Sequence, residues 1–191
     1  MYVLSTASNG GSGAFAPVAA IHDALATLDP NILTTLGEEN WPFDRPLDGR
    51  VCDYRAPMFF NHGKPEMIFS RGALIQSSRF HRPKEMPDLT EKQGIALDAI
   101  QFVAEQVQTK IEWKNGDLVF FNNKRLLHGR DAFTDSSGVP ARHMLRLWLK
   151  AGGWDCSLPE ALQKRWNKIF RGVDESTDDE QKQWPLEPDS T

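Results

Sequence analysis

The chain has 191 residues, 40% of them hydrophobic and 25% charged, with a formal net charge of −4. This is the composition of an ordinary globular domain large enough to bury its own core, and its slight acidity argues against a general nucleic-acid or membrane-surface role. No apolar run is long enough for a transmembrane helix, and the first residues lack the basic and apolar regions of a signal peptide. Cys52 and Cys156 are too few for a disulfide framework and match no zinc spacing. They read as free thiols in a reducing, cytoplasmic compartment.

The opening Met1–Ser5 reads as a buried strand. A core strand at the very start leads us to expect that the N-terminal part of the domain is missing. A Gly/Ser turn, Ser8–Gly13, follows. Val18, Ile21 and Leu25 recur at helical spacing from Pro17 to about Leu28, and Pro17 suits a first turn. A second short helix begins after Asp29-Pro30 and carries Ile32, Leu33 and Leu36. The prolines of Trp41–Pro46 predict a loop. Short strands are expected around Pro57–Asn61 and Glu66–Ser70, and the charged stretch Arg82–Asp88 is expected to be an exposed connection.

Thr90-Glu-Lys-Gln93 fits a capping box, and Leu97, Ile100, Val103 and Val107 form the stripe of the helix it opens. Asn115-Gly116 between Ile111–Trp113 and Leu118–Asn122 predicts a hairpin. Arg142–Lys150 reads as another strand. Ser157-Leu-Pro-Glu160 opens a last helix with Leu158, Leu162, Trp166 and Phe170 facing inward. From Asp174 the chain turns acidic and polar, which predicts a disordered tail over 173–191 after a domain spanning 1–172. Short strands with helices inserted around them give an α+β domain on an antiparallel sheet, without saying which one.

The chemistry concentrates in Gly116–Arg130, whose apolar run ends in His128-Gly-Arg130, and in Ala141–Leu149, which carries Arg142 and Arg146. A neutral imidazole at a strand end is a natural Fe(II) ligand. A guanidinium grips a carboxylate with two prongs and stays charged when buried. A keto-diacid that chelates iron at one end needs both. Strand alternation puts Arg142, Met144, Arg146 and Trp148 on one side and His143, Leu145 and Leu147 on the other. Two arginines on a half-exposed strand also fit a plain surface.

The run "GDLVFFNNKRLLHGRDAF…RHMLRLWL" resembles the final core strands of the TauD/TfdA-type Fe(II)- and 2-oxoglutarate-dependent dioxygenases. It is close to the clavaminate-synthase-like and γ-butyrobetaine-hydroxylase-like members. Gly10–Leu25 is similar to that family's glycine turn and following helix. The resemblance runs over most of residues 1–170 and implies a double-stranded β-helix (jelly roll), incomplete at the N-terminus. It implies an oxidoreductase that couples 2-oxoglutarate decarboxylation and O2 to hydroxylation of a small, anionic substrate. Fe(II) and 2-oxoglutarate are then the expected cofactor and co-substrate. His128 matches the distal iron ligand and Arg142 the partner of the far 2-oxoglutarate carboxylate. Arg146 matches an arginine that contacts co-substrate or an anionic substrate group. Asn123 and Arg130 flank the ligand as expected supports of the strand ends.

Two features depart from the family pattern. None of His22, His62, His81, His128 and His143 has a carboxylate two positions on, so the His-x-Asp/Glu pair of iron ligands is absent from the chain. Gly13 stands where relatives place a hydroxyl residue, and Ser12 beside it is expected to point away. The expectation is therefore a chain inactive alone. The alternative is a non-catalytic jelly-roll remnant that binds a small acid or a partner chain through exposed sheet edges. The expected partner is a small molecule, not nucleic acid or membrane. Substrate identity and any homo-oligomer stay open.

Overall fold

The computed structural model of the chain describes residues 1–43, 51–75, 82–138, 141–149 and 158–169. Its first part runs β1 (Tyr2–Ser5), β2 (Asn9–Gly10), β3 (Gly13–Pro17), α1 (Val18–Leu28), α2 (Pro30–Gly37), β4 (Pro42–Phe43) and β5 (Asp53–Tyr54). Then come β6 (Met58–Asn61), β7 (Lys64–Met67), α3 (Arg71–Leu74) and α4 (Glu91–Val107). The chain continues through β8 (Thr109–Ile111), β9 (Leu126–Arg130), β10 (Phe133–Thr134), β11 (His143–Leu145) and α5 (Glu160–Ile169).

Helices α1, α2 and α4 pack on one another because their apolar stripes coincide: Val18, Ile21 and Leu25, then Leu36, then Leu97, Ile100 and Val103. Ile21, Leu25 and Leu36 are wholly shielded from water, and each such side chain contributes about 1.5–3 kcal/mol over exposure. The ends are fixed locally. Asp29 Oδ1 accepts from Asn31 N–H at 2.9 Å with Pro30 in the first turn of α2. Thr90 and Gln93 form the reciprocal cap of α4, with the Thr90 N–H donating to Gln93 Oε1 at 2.9 Å. The expected apolar face of α5 is represented by buried Leu162, while Ser157, Phe170 and the expected tail lie outside the described residues.

Strand β3 lies between β8 and β9, antiparallel to both. Ala16 pairs with Leu127, and both turn toward the helices; Phe15 pairs with His128, and both turn the other way. A separate ladder joins β1 to β11, with buried Val3 opposite Met144. Trp113 connects the two ladders. It meets Phe15 edge-on at 6.2 Å and shares a cavity wall with Val3 and Met144.

Five expectations need correction. Met1–Ser5 is buried only at Val3, since Tyr2 and Leu4 face out. Trp41–Pro46 is not simply a loop: Trp41 is buried with its indole N–H on Thr35 O at 2.9 Å, and Pro42–Phe43 pairs with β5. The second strand of the 57–70 region starts early, at Lys64. His62 (φ 49°) and Gly63 (φ 70°) make a two-residue left-handed turn that folds the chain straight back. The Asn115-Gly116 turn does not join a paired hairpin. Val3 takes up its backbone groups, with Gly116 N–H on Val3 O at 2.8 Å, and the arms separate. Its upstream arm, β8, pairs with β3, while Leu118–Val119 lies beside Met1–Tyr2. Strand β11 stops at Leu145, because its last partner in β1 is Tyr2 and the following residues have no ladder to join.

Candidate active site

The loop before β9 fixes where His128 emerges. Asn122 closes it by accepting from Lys124 N–H through its side chain and from Arg125 and Leu126 N–H through its carbonyl, each at 3.0 Å. Below the loop sits Glu66 of β7, only 1% exposed. Arg125 Nε donates to its Oε1 at 3.0 Å, and Lys124 Nζ faces Oε2 at 3.0 Å as a contact of charges rather than a directed hydrogen bond. Asn123, expected to hold the strand end, is half-buried, and the hydrogen bonds of the turn come from its neighbour Asn122.

His128 lies in an aromatic wall. Its ring is 5.0 Å from Phe121 at a steep angle and 6.4 Å from Phe15 nearly in parallel. Burial pushes its pKa below the usual 6.5 and the charge of Arg146 adds to this, against a hydrogen bond to the Leu126 backbone that favours the proton. The ring is therefore held neutral, the form that ligates a metal.

Two guanidinium groups share one aromatic ring further along. Arg142 and Arg130 both lie over the Phe133 ring, with Cζ 5.3 and 4.2 Å from its centroid. Burial lowers the Arg142 pKa. The charge of Arg130 lowers it further, Asp135 opposes, and Arg146 adds to the lowering. Arg146, itself exposed, thus lowers the pKa of both His128 and Arg142 through its charge. The expected sharing of a face by Arg142 and Met144 holds: the Arg142 guanidinium donates to the Met144 sulfur.

A cavity of about 190 Å³ opens beside Arg142, walled by Val3, Ser12, Glu112, Trp113 and Met144. Ser12 corrects an expectation. It faces this cavity and donates to Glu112 Oε1 at 2.6 Å, because Gly10 (φ 70°) and Gly11 (φ 80°) break strand alternation just before it. Gly11 also makes room for the arginine: a Cβ there would lie 3.3 Å from both Arg142 Nε and Phe133 Cβ. Gly13 is closed to any side chain, since a Cβ would lie 2.4 Å from the Trp113 ring. Asp135, Glu112 and Glu66 carried no signal as site residues, and Phe133, the last residue of the run Gly116–Phe133, was assigned no role of its own.

The other histidines stand apart from this space. His22 on α1 contacts Asp23 at 2.9 Å, His62 forms the hairpin turn, His143 pairs with Ser5 on an exposed face, and His81 lies outside the described residues. Among the described residues no three His, Cys, Asp or Glu side chains come together to hold a metal. The donor set thus supplies one imidazole and does not fit an iron ion alone, whereas arginines without counter-ions fit a carboxylate well.

His128 thus lies in the middle of β9 rather than at the expected strand end, on the sheet face opposite the helices, while Arg142 borders the cavity walled by Trp113. The chain belongs to the taurine catabolism dioxygenase TauD, TfdA family, whose model matches residues 1–148. Fe(II) and 2-oxoglutarate are that family's cofactor and co-substrate. A taurine hydroxylase-like protein, SAT17 of Stachybotrys chartarum, is 29% identical over 189 residues, covering 98% of this chain and 48% of its own length. Among solved structures, asparagine oxygenase in complex with Fe(II), (2S,3S)-3-hydroxyasparagine and succinate superposes with TM-score 0.56 at 18% identity, covering 74% of this chain and 41% of its own. The fold is therefore the α+β jelly roll expected. The chain spans about half the length of the relatives it matches. No helix among the described residues is long and apolar enough to cross a membrane.

Proposed function

We propose that this chain carries the co-substrate-binding side of an Fe(II)- and 2-oxoglutarate-dependent oxygenase that hydroxylates a small anionic substrate. In this reading residues 1–172 form one domain in the cytoplasm. His128 is an iron ligand, Arg142 grips the far carboxylate of 2-oxoglutarate, and Arg146 reaches co-substrate or an anionic substrate group. The supporting observation is Phe15, whose ring meets both His128 and Trp113, the latter walling the cavity that Arg142 borders. The ligands in the asparagine oxygenase structure, a hydroxylated amino acid and succinate, suit such a site. Iron needs donors beyond His128, and the 191 residues contain no His-x-Asp/Glu, so the chain as given does not turn over.

A second reading, a partner-dependent remnant, gains support from Leu118, Phe120, Leu147 and Trp148, which are 59–71% exposed. Two assays test the first reading. With Fe(II) and ascorbate, the purified chain is expected to release no succinate from 2-oxoglutarate; iron-dependent release would overturn the assignment of inactivity. In calorimetry the chain is expected to bind 2-oxoglutarate, and both Arg142→Ala and Arg142→Lys are expected to weaken it, Ala far more. Equal effects would argue against a two-pronged contact at Arg142.

A further inference from the structure

Arg142 borders the cavity and Arg130 shares the Phe133 ring with it, and neither has the counter-ion that such a pair calls for. Among the described residues none of Arg130, Arg142 and Arg146 forms an ion pair. The nearby carboxylates are already engaged. Asp131 Oδ2 pairs with Lys110 Nζ at 2.8 Å, Asp135 Oδ1 accepts the Arg142 backbone N–H at 3.1 Å, and Glu112 accepts from Ser12. What the guanidinium groups hold instead is weak: Arg130 Nη1 donates to the Asp131 carbonyl at 3.1 Å and Arg142 to a thioether. Yet the fold brings Arg130 and Arg142 to one ring. Phe133 is fixed opposite Gly10 by the β2–β10 pairing, and Gly11 N–H donates to Ala132 O at 3.0 Å. A fold that places like charges on a shared aromatic platform, and spends its neighbouring carboxylates elsewhere, is built for an anion from solution.

We propose that Arg130 is a binding residue in its own right, which together with Arg142 on the Phe133 platform clamps one carboxylate of a diacid from two sides. This rests on the reading of Arg142 above and extends it: the expected role of Arg130 as a mere support of the strand end gives way to direct contact. Phe133 positions both guanidinium groups, and Gly11 keeps the passage between them and the cavity open.

Glutarate, a five-carbon diacid without the keto group, probes the clamp without any metal. The full chain is titrated with glutarate by calorimetry, beside Arg142→Gln, Arg130→Gln, Arg130→Lys and Phe133→Leu, with near-UV circular dichroism verifying each fold. Wild type is expected to bind, and Arg142→Gln to lose binding. Arg130→Gln is expected to weaken it about tenfold or more, the scale of one charge-assisted hydrogen bond. Arg130→Lys is expected to recover only part of that loss, because an ammonium keeps the charge but not the fork. Phe133→Leu is expected to weaken binding several-fold, and it carries the test should Arg130→Gln misfold. Wild-type-like binding by Arg130→Gln, or full rescue by lysine, overturns the clamp while leaving the Arg142 reading intact. No glutarate binding by wild type overturns the Arg142 reading itself.

Discussion

Glu66 is the most deeply buried carboxylate that the described residues show, and it anchors the loop that delivers His128, so Glu66→Gln is an informative perturbation. Breaking a buried pair from one side costs about 3–5 kcal/mol when the abandoned charge stays buried. Here the two partners differ. The Arg125 side chain is 40% exposed and can turn to water, whereas that of Lys124 is 14% exposed and cannot without moving the loop. Glutamine also keeps an oxygen for one donor. The expected loss is therefore about 2–3 kcal/mol, a fall in Tm of about 4–12 °C for a domain of this size. Thermal unfolding followed by far-UV circular dichroism measures it. Lys124→Met should cost more than Arg125→Gln, the reverse of what charge strength alone would give. A Glu66→Gln fall under ~2 °C, with Lys124→Met no worse than Arg125→Gln, would show that packing of the β6–β7 hairpin and not the ion cluster holds the loop.

The histidine and the glycine turn give two further tests. His128 has a folded pKa below its unfolded 6.5. Above 6.5 both states are neutral and the group is silent; as pH falls through 6.5 the unfolded chain takes a proton that the folded one refuses, and stability drops until the folded pKa is reached. Tm measured between about pH 7.5 and 5 should fall less steeply in His128→Gln than in wild type, and parallel curves would contradict a desolvated ring. Gly13→Ala should lose about 1–3 kcal/mol, because the methyl would enter the Trp113 ring. In a Trp113→Leu background the same change should cost much less, a non-additivity that chemical denaturation of the two singles and the double reads directly.

The helices were legible because each carries its instructions within a few residues. Val18, Ile21 and Leu25 repeat at one helical face, and Thr90 and Gln93 cap each other across three positions. The strands were less so. Asn115-Gly116 has the local chemistry of a hairpin turn, but Val3, far away in sequence, claims the turn's backbone groups and the arms part. His62-Gly63, a true two-residue turn, went unread because histidine at positive φ is a weak signal beside Asn-Gly. The same division holds in the site. His128, Arg130, Arg142 and Arg146 fall within one short stretch and announce themselves by residue type, whereas Phe133 beside them does not. Glu66 meets Arg125 across 59 positions and Ser12 meets Glu112 across 100, and no local pattern encodes such meetings.

These contacts separate two properties that an oxygenase normally joins. On the acid side, in the proposed reading, the chain has guanidinium groups without counter-ions among the described residues, an aromatic ring that both share, and a glycine turn beside Arg142. On the metal side it has one imidazole, whose pKa burial lowers, and no group of three donors among the described residues. Affinity for a diacid depends only on the first set, and turnover requires both. A chain that binds glutarate yet releases no succinate from 2-oxoglutarate is therefore the combined outcome expected of the proposed reading. The pair of measurements carries more than either alone, because a merely misfolded chain would also release no succinate but would not bind glutarate.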